Sequence, residues 1–145
     1  MPTKSLLIKN THAFSAHQDL GVVDILLQDG RIAQIEPTVT NPDEASTQVI
    51  DGTGLYALPG FIDMHIHGHE GISAMDANAT ELQALCDCLP RYGVTSFLPT
   101  TRTAPAELIT TALQTIAKFR DEQSTGTQVL GVHLEGPFIN QDAKG

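Results

Sequence analysis

From Pro59 onward, short apolar runs alternate with longer stretches of helical periodicity, and that alternation restricts the chain more than any other feature. Residues 61–65 read as a short buried strand, 94–98 as a second and 129–134 as a third. Between the first two, residues 80–92 carry Leu82, Leu85, Cys86 and Leu89 at helical spacing behind a capping Asn78, and Pro90 should distort the last turn. Residues 105–122 place Leu108, Ala112, Ile116 and Phe119 on one face of a second helix. Strands alternating with helices of this length pair in parallel through right-handed crossovers. A doubly wound sheet and a (β/α)8 barrel both satisfy the pattern.

Before Pro59 the rhythm is different. Apolar runs at 6–8, 22–27, 32–35 and 49–50 are short and broken by turn residues, and Asp29-Gly30 between two of them is a strong hairpin signal. Pro37, Pro42 and the polar residues between them make a surface loop. The expected organisation is a small β module, read as the N-terminal part of a β-sandwich, over residues 1–58 and a strand–helix–strand–helix–strand segment over 59–145. The chain stops just after the third strand with no helix to cover it, so its end reads as a cut and not as a domain boundary.

Composition removes several function classes. The sequence has 145 residues and is 41% apolar, as in an ordinary soluble globular protein, and its net charge of −9 repels nucleic-acid backbones and anionic lipid surfaces alike. Neither nucleic acid nor membrane is an expected partner. One lysine and a few apolar residues at the N-terminus fall far short of a secretory leader, and no apolar run is long enough to span a bilayer. Cys86 and Cys88 sit two apart in a helical stretch, a poor disulfide geometry and, since they face different directions, a poor metal pair. Core packing is the plainer reading, and two free thiols fit a reducing, cytoplasmic compartment.

The chemistry gathers in two places. In Asp63-Met64-His65-Ile66-His67-Gly68, two histidines one residue apart at a strand's end can both turn toward one metal if the strand terminates between them. A chance pair of surface histidines is the rival reading, against which stand the preceding Pro-Gly-Phe-Ile-Asp and the following glycine. In His133-Leu134-Glu135-Gly136-Pro137, Gly-Pro stops the third strand and leaves the Glu135 carboxylate at its C-terminal end, where active sites of α/β folds gather. A solvated charge or helix cap is the rival there, and the role of His133 stays open.

Taken together, Leu58-Pro59-Gly60-Phe61-Ile62-Asp63 with its His-x-His, then Gly93-Val94-Thr95-Ser96-Phe97-Leu98-Pro99-Thr100, then His133-Leu134-Glu135-Gly136-Pro137-Phe138 resemble the N-terminal part of N-acetylglucosamine-6-phosphate deacetylases. These are metal-dependent amidohydrolases. The His-x-His motif belongs to the whole superfamily, whereas Leu-Glu-Gly-Pro points to the deacetylases, since many relatives use a carboxylated lysine instead. The resemblance implies an α/β fold, with the first βαβαβ of an incomplete (β/α)8 amidohydrolase barrel behind the β module. It implies His65, His67 and Glu135 as ligands of one or two divalent ions, zinc in the first place with iron as the alternative. It implies hydrolysis of the acetamide of N-acetylglucosamine 6-phosphate by a metal-activated water, with a small-molecule amino-sugar phosphate as partner and a homodimer for the full-length enzyme. The general acid/base aspartate and two further histidine ligands are expected beyond Gly145, so no catalytic residue is assigned within these residues and the substrate-binding ones are unknown. A barrel of this type takes roughly 250 residues, and the chain by itself is expected to be inactive. The rivals are another amidohydrolase, acting on a cyclic amide or deaminating a base, and a non-catalytic truncated product.

Other residues carry weaker expectations. Asp63 is either a partner of a ligand histidine or a cap for the next loop. His69 and Glu70 extend the motif but belong to the exposed loop. Thr100 and Thr101 either touch substrate or satisfy loop backbone. Lys144-Gly145 resembles the start of a substrate-contacting loop, and His12 and His17 are assigned nothing.

Overall fold

The computed structural model describes residues 5–40 and 46–143. Pro42 and Lys144-Gly145 therefore lie outside the described residues. The chain divides into two compact units, Met1–Pro59 and Gly60–Gly145.

The first unit is a five-stranded sheet built from β1 (Ser5–Phe14), β2 (Asp19–Gln28), β3 (Arg31–Glu36), β4 (Thr47–Asp51) and β5 (Tyr56–Ala57). Its order is β3-β2-β1-β4, with β5 also on β1. The Asp29-Gly30 hairpin forms as expected, with Asp29 at φ 53 in the left-handed region that such two-residue turns require. β1 and β5 exceed the sequence reading, because the second half of β1 pairs with β5 and that run is too short to stand out. Asp24, 2% exposed, is buried without an orphaned oxygen: Oδ1 accepts the Asn10 N–H at 2.9 Å and Oδ2 the Val39 N–H at 3.0 Å. Among the described residues this unit is one sheet with no second layer, and Ile32 and Val49 stay exposed.

The second unit runs β6 (Phe61–Ile66), β7 (Gly68–His69), β8 (Ile72–Ser73), α1 (Ala79–Cys88), β9 (Val94–Pro99), α2 (Ala106–Glu122) and β10 (Gln128–Val129). β10, β9 and β6 form a parallel sheet in that order, and β7 and β8 a small antiparallel hairpin. Asn78 caps α1 through a reciprocal box: its Oδ1 accepts the Thr80 and Glu81 N–H groups, and Glu81 Oε2 accepts the Asn78 N–H. The α-helix ends sooner than the expected residue 92. From Leu89 to Tyr92 the chain is a 3-10 turn, since Pro90 has no N–H to continue the α-helical ladder.

The core packs Leu82, Leu85, Cys86 and Leu89 from the first helical region and Ile116 and Phe119 from α2 against Phe97 and Val129 of the sheet. Both cysteines are free and buried, and burial pushes the Cys86 thiol up to about 12. Three expectations need correction. Leu108 is 58% exposed and Ile109 takes its place on the buried face, because Met75 from the preceding loop packs against Ile109 and Ala112. β6 is not a buried strand: it is an edge, and Phe61, Ile62 and Met64 are exposed while the helices cover β9 and β10. The third strand is regular only at Gln128–Val129. From the Phe97–Val129 pair to the Thr100–His133 bridge, β9 advances three residues and its neighbour four, and the extra residue breaks the ladder.

Candidate metal centre

Both segments that flank the C-terminal end of β9 carry an irregularity just where the candidate ligands sit. On β6, Asp63 pairs with Phe97 and Ile66 with Pro99, so β6 uses three steps where β9 uses two. Bulges of this kind re-aim side chains and are frequent beside active sites. After Ile66 the strand ends, and Gly68, at φ 141, lets the chain fold back so closely that an added Cβ would lie 1.8 Å from the Ile72 carbonyl oxygen. On the other side Gly136, at φ 86, passes against Thr103, where an added Cβ would lie 2.6 Å from the Thr103 Oγ1. The Gly136–Pro137 peptide is cis.

These turns bring three donor atoms together. His65 Nε2 lies 3.3 Å from His67 Nε2 and 2.8 Å from Glu135 Oε2, and His67 Nε2 lies 3.2 Å from the same oxygen. Among the described residues this is a group of three metal-ligating side chains able to hold one ion. Donors set about 2.0–2.2 Å from zinc in a tetrahedral site stand roughly 3.3–3.6 Å from one another; both distances from His67 Nε2 are close to that, and the His65–Glu135 distance is shorter. Glu135 Oε2 is itself shielded from solvent and has no aligned hydrogen-bond donor, although two imidazole nitrogens lie within 3.2 Å. An anionic oxygen left in that state is costly unless a cation completes it. The residues present therefore fit a divalent ion.

Neighbouring groups position the three. His133 Nδ1–H donates to the Met64 carbonyl at 2.8 Å, and its ring sits 4.5 Å from that of His65, centroid to centroid, so it braces His65 from the side. Asp63 Oδ1 accepts the His65 backbone N–H at 3.0 Å, which makes it a cap of the strand's end; it does not bond the imidazole. The Ala74 N–H donates to the His67 carbonyl at 2.8 Å, and Arg102 holds the same loop through Ser73 at 2.9 Å and Asp76 at 2.7 Å. The Arg102 guanidinium, with help from the Ser73 hydroxyl, keeps the Asp76 carboxyl below its ordinary value. Thr100 and Thr101, 1% and 0% exposed, bond backbone and are sealed from any substrate. His69 turns away to an edge-on contact with Tyr92 and stays out of the cluster, as does Glu70. In the other unit His12 bonds Asp19 at 2.6 Å.

No family model matches the chain. A curated protein named N-acetylglucosamine-6-phosphate deacetylase, from Lysinibacillus sphaericus, is 34% identical over 141 residues, which is 97% of this chain and 36% of that protein. The chain is a homologue of the N-acetylglucosamine-6-phosphate deacetylases. A protein of Escherichia coli O157:H7 named N-acetylgalactosamine-6-phosphate deacetylase is 39% identical over 119 residues, 82% of this chain and 30% of its own length. The crystal structure of N-acetylglucosamine-6-phosphate deacetylase from Pasteurella multocida superposes with a TM-score of 0.82 at 27% identity, covering 95% of this chain and 36% of that one. The fold is thus of the amidohydrolase kind. The chain spans about a third of the length of the deacetylase relatives it matches.

Sequence reading missed what holds the ligands in place. Neither the hydroxyl of Thr101 behind Glu135 nor the ring of His133 behind His65 has a local signature, because each bond joins segments more than thirty residues apart.

Proposed function

We propose that the chain supplies part of the metal centre of an enzyme that hydrolyses the acetamide of N-acetylglucosamine 6-phosphate, with water, to glucosamine 6-phosphate and acetate. The observation that carries this reading is the meeting of His65 Nε2, His67 Nε2 and Glu135 Oε2 beside the C-terminal end of β9, in a chain homologous to deacetylases of that name. A divalent ion held there supplies a Lewis acid for the amide carbonyl and lowers the pKa of a bound water. His65 and His67 offer neutral nitrogen donors and Glu135 one negative charge. That donor set suits zinc, with iron as the alternative, and Glu135 is able to serve one ion or to bridge two. The ligand histidines are held by backbone bonds on β6 and by the His133 ring, so their donor atoms need little reordering.

The domain reading places the N-terminal part of a β-sandwich module at 1–58 and the first βαβαβ of a (β/α)8 barrel at 59–145. The remaining strands, two further histidine ligands and the general acid/base aspartate come from chain outside these residues. The expected setting is the cytoplasm and the expected assembly a homodimer. No helix among the described residues is long and apolar enough to cross a membrane.

A second reading concerns the sugar. The 39% identity to the N-acetylgalactosamine-6-phosphate deacetylase favours testing that epimer on equal terms. The experiment is elemental analysis of the full-length protein, wild type beside His65→Ala/His67→Ala and Glu135→Ala, with acetate release measured from both sugar phosphates and ring opening from a cyclic ureide. Joint loss of metal and of acetate release supports the proposal, and the faster sugar decides the substrate. Metal retained in both variants, or turnover of the ureide alone, overturns it.

A further inference from the structure

Two adjacent buried threonines reach in opposite directions from the end of β9, one to each half of the donor set. The Thr100 N–H donates to the Ile66 carbonyl at 2.9 Å, and Thr100 Oγ1 accepts the Ile66 N–H at 2.9 Å while donating its own proton to Leu98 O at 3.1 Å. Ile66 is the residue between the two ligand histidines. The Thr101 N–H donates to the His133 carbonyl at 3.0 Å. Its Oγ1 accepts the Glu135 N–H at 3.0 Å and lies 3.2 Å from the Glu135 carbonyl, to which it donates.

Glu135 has no ladder partner of its own, because the extra residue before His133 has ended regular pairing. A single hydroxyl therefore does for Glu135 what a neighbouring strand does elsewhere, satisfying both its N–H and its C=O. We propose that Thr100 and Thr101 are positioning residues for the metal centre: Thr100 registers the His65-Ile66-His67 segment and Thr101 registers Glu135, so that one dipeptide fixes the spacing of all three donors. The inference rests on the metal reading above. At 1% and 0% exposure neither hydroxyl reaches a substrate, so any effect of losing it must pass through the ligands. Valine has threonine's shape and keeps the packing, but it leaves the Glu135 N–H and C=O without that partner.

The test is zinc affinity of the full-length protein by chelator competition, together with the visible spectrum of the cobalt-loaded form. Thr101→Val is expected to weaken zinc binding by about 10–100-fold and to change the cobalt bands, whereas Thr101→Ser, which keeps the hydroxyl, should stay within about threefold of wild type. Thr127→Val is the control: that residue is equally buried and its hydroxyl donates to Val94 O at 2.8 Å, at the far end of β9. It should lower thermal stability and leave zinc affinity alone. If Thr101→Val does not fold, Thr100→Val makes the same comparison on the histidine side. Wild-type zinc affinity and cobalt bands in the valine variant, or a serine variant as weak as the valine one, overturn the clamp and leave the metal site standing. A wild-type protein that binds neither zinc nor iron overturns the metal reading and the clamp with it.

Discussion

His65 and His67 are carried to the candidate site by β6 and the turn after it, and Glu135 is held there by the Thr101 side chain just past the end of β9. The histidine segment belongs to β6, takes ladder bonds from β9 and turns at Gly68. The glutamate segment has no regular structure after Val129 and hangs from β9 by the bridge at His133 and by the Thr101 hydroxyl. Backbone pairing with β9 and the Thr100 hydroxyl together hold the histidine segment, whereas the glutamate segment relies on the Thr101 hydroxyl and one bridge. Losing one side-chain bond should therefore cost the glutamate half more than the histidine half, whose Thr100 hydroxyl is backed by ladder bonds from β9.

The largest expected effect breaks the set outright. Glu135→Ala and His65→Ala/His67→Ala should each lower zinc affinity beyond the roughly 10–100-fold that loss of an outer partner costs, as read by chelator competition. Loss of zinc in the histidine variant with retention in Glu135→Ala would remove the glutamate half from the comparison altogether.

Both halves hang on β9, so damage to the core beneath it should affect them equally. Phe97 is fully buried there. Phe97→Ala is expected to cost about 3–5 kcal/mol and Ile116→Ala about 2–5 kcal/mol in denaturant unfolding. Leu108→Ala, on the exposed side of α2, should stay within about 0.5 kcal/mol. A large loss at Leu108 would mean that α2 packs through the face first read from its spacing and not through Ile109.

That contrast also marks how far sequence reached. The strand–helix alternation, the Asn78 cap and the distortion at Pro90 were legible because each is a short-range pattern: a period, a cap, a proline; the His65–His67 pair is another, whereas Glu135 joined it as a ligand through the resemblance. Choosing Ile109 over Leu108 was beyond it, since both lie near the edge of the apolar stripe and a methionine from another segment decides between them. The broken third strand was beyond it as well. Residues 129–134 are apolar enough to read as one strand, and only pairing with β9 reveals the extra residue. The threonine hydroxyls were weighed for substrate or backbone, and which backbone they bond depends on a fold no local pattern encodes.

Glycine substitutions separate the two halves at intermediate cost. Gly68→Ala puts a Cβ against the Ile72 carbonyl behind His67, and Gly136→Ala puts one against Thr103 behind Glu135, each at a positive φ. A strained backbone of this kind costs about 1–3 kcal/mol, measured by thermal unfolding of the metal-free protein. Zinc affinity should fall in both, and more in Gly136→Ala, where no ladder resists the displacement. An equal fall would mean that the glutamate segment is as stiff as β6.

The smallest effect tests the support behind His67. Arg102 joins Ser73 and Asp76, in the loop whose Ala74 N–H bonds the His67 carbonyl. The Asp76 carboxyl is held below the ordinary aspartate value, first by the Arg102 guanidinium and then by the Ser73 hydroxyl. A folded-state pKa below the unfolded one gives stabilisation that is complete above the unfolded value and lost as pH falls through the folded one. The Arg102 and Asp76 side chains are 53% and 59% exposed, so the pair contributes no more than about 1 kcal/mol and less in high salt. Arg102→Met should therefore lower thermal stability slightly at pH 7, and its difference from wild type should shrink as the pH is taken below the carboxylate range. Because the loop reaches the donor set through the His67 carbonyl, the change should leave the effect of Thr101→Val on zinc affinity unaltered. Non-additivity between the two would show that the halves communicate through β9 and are not set separately.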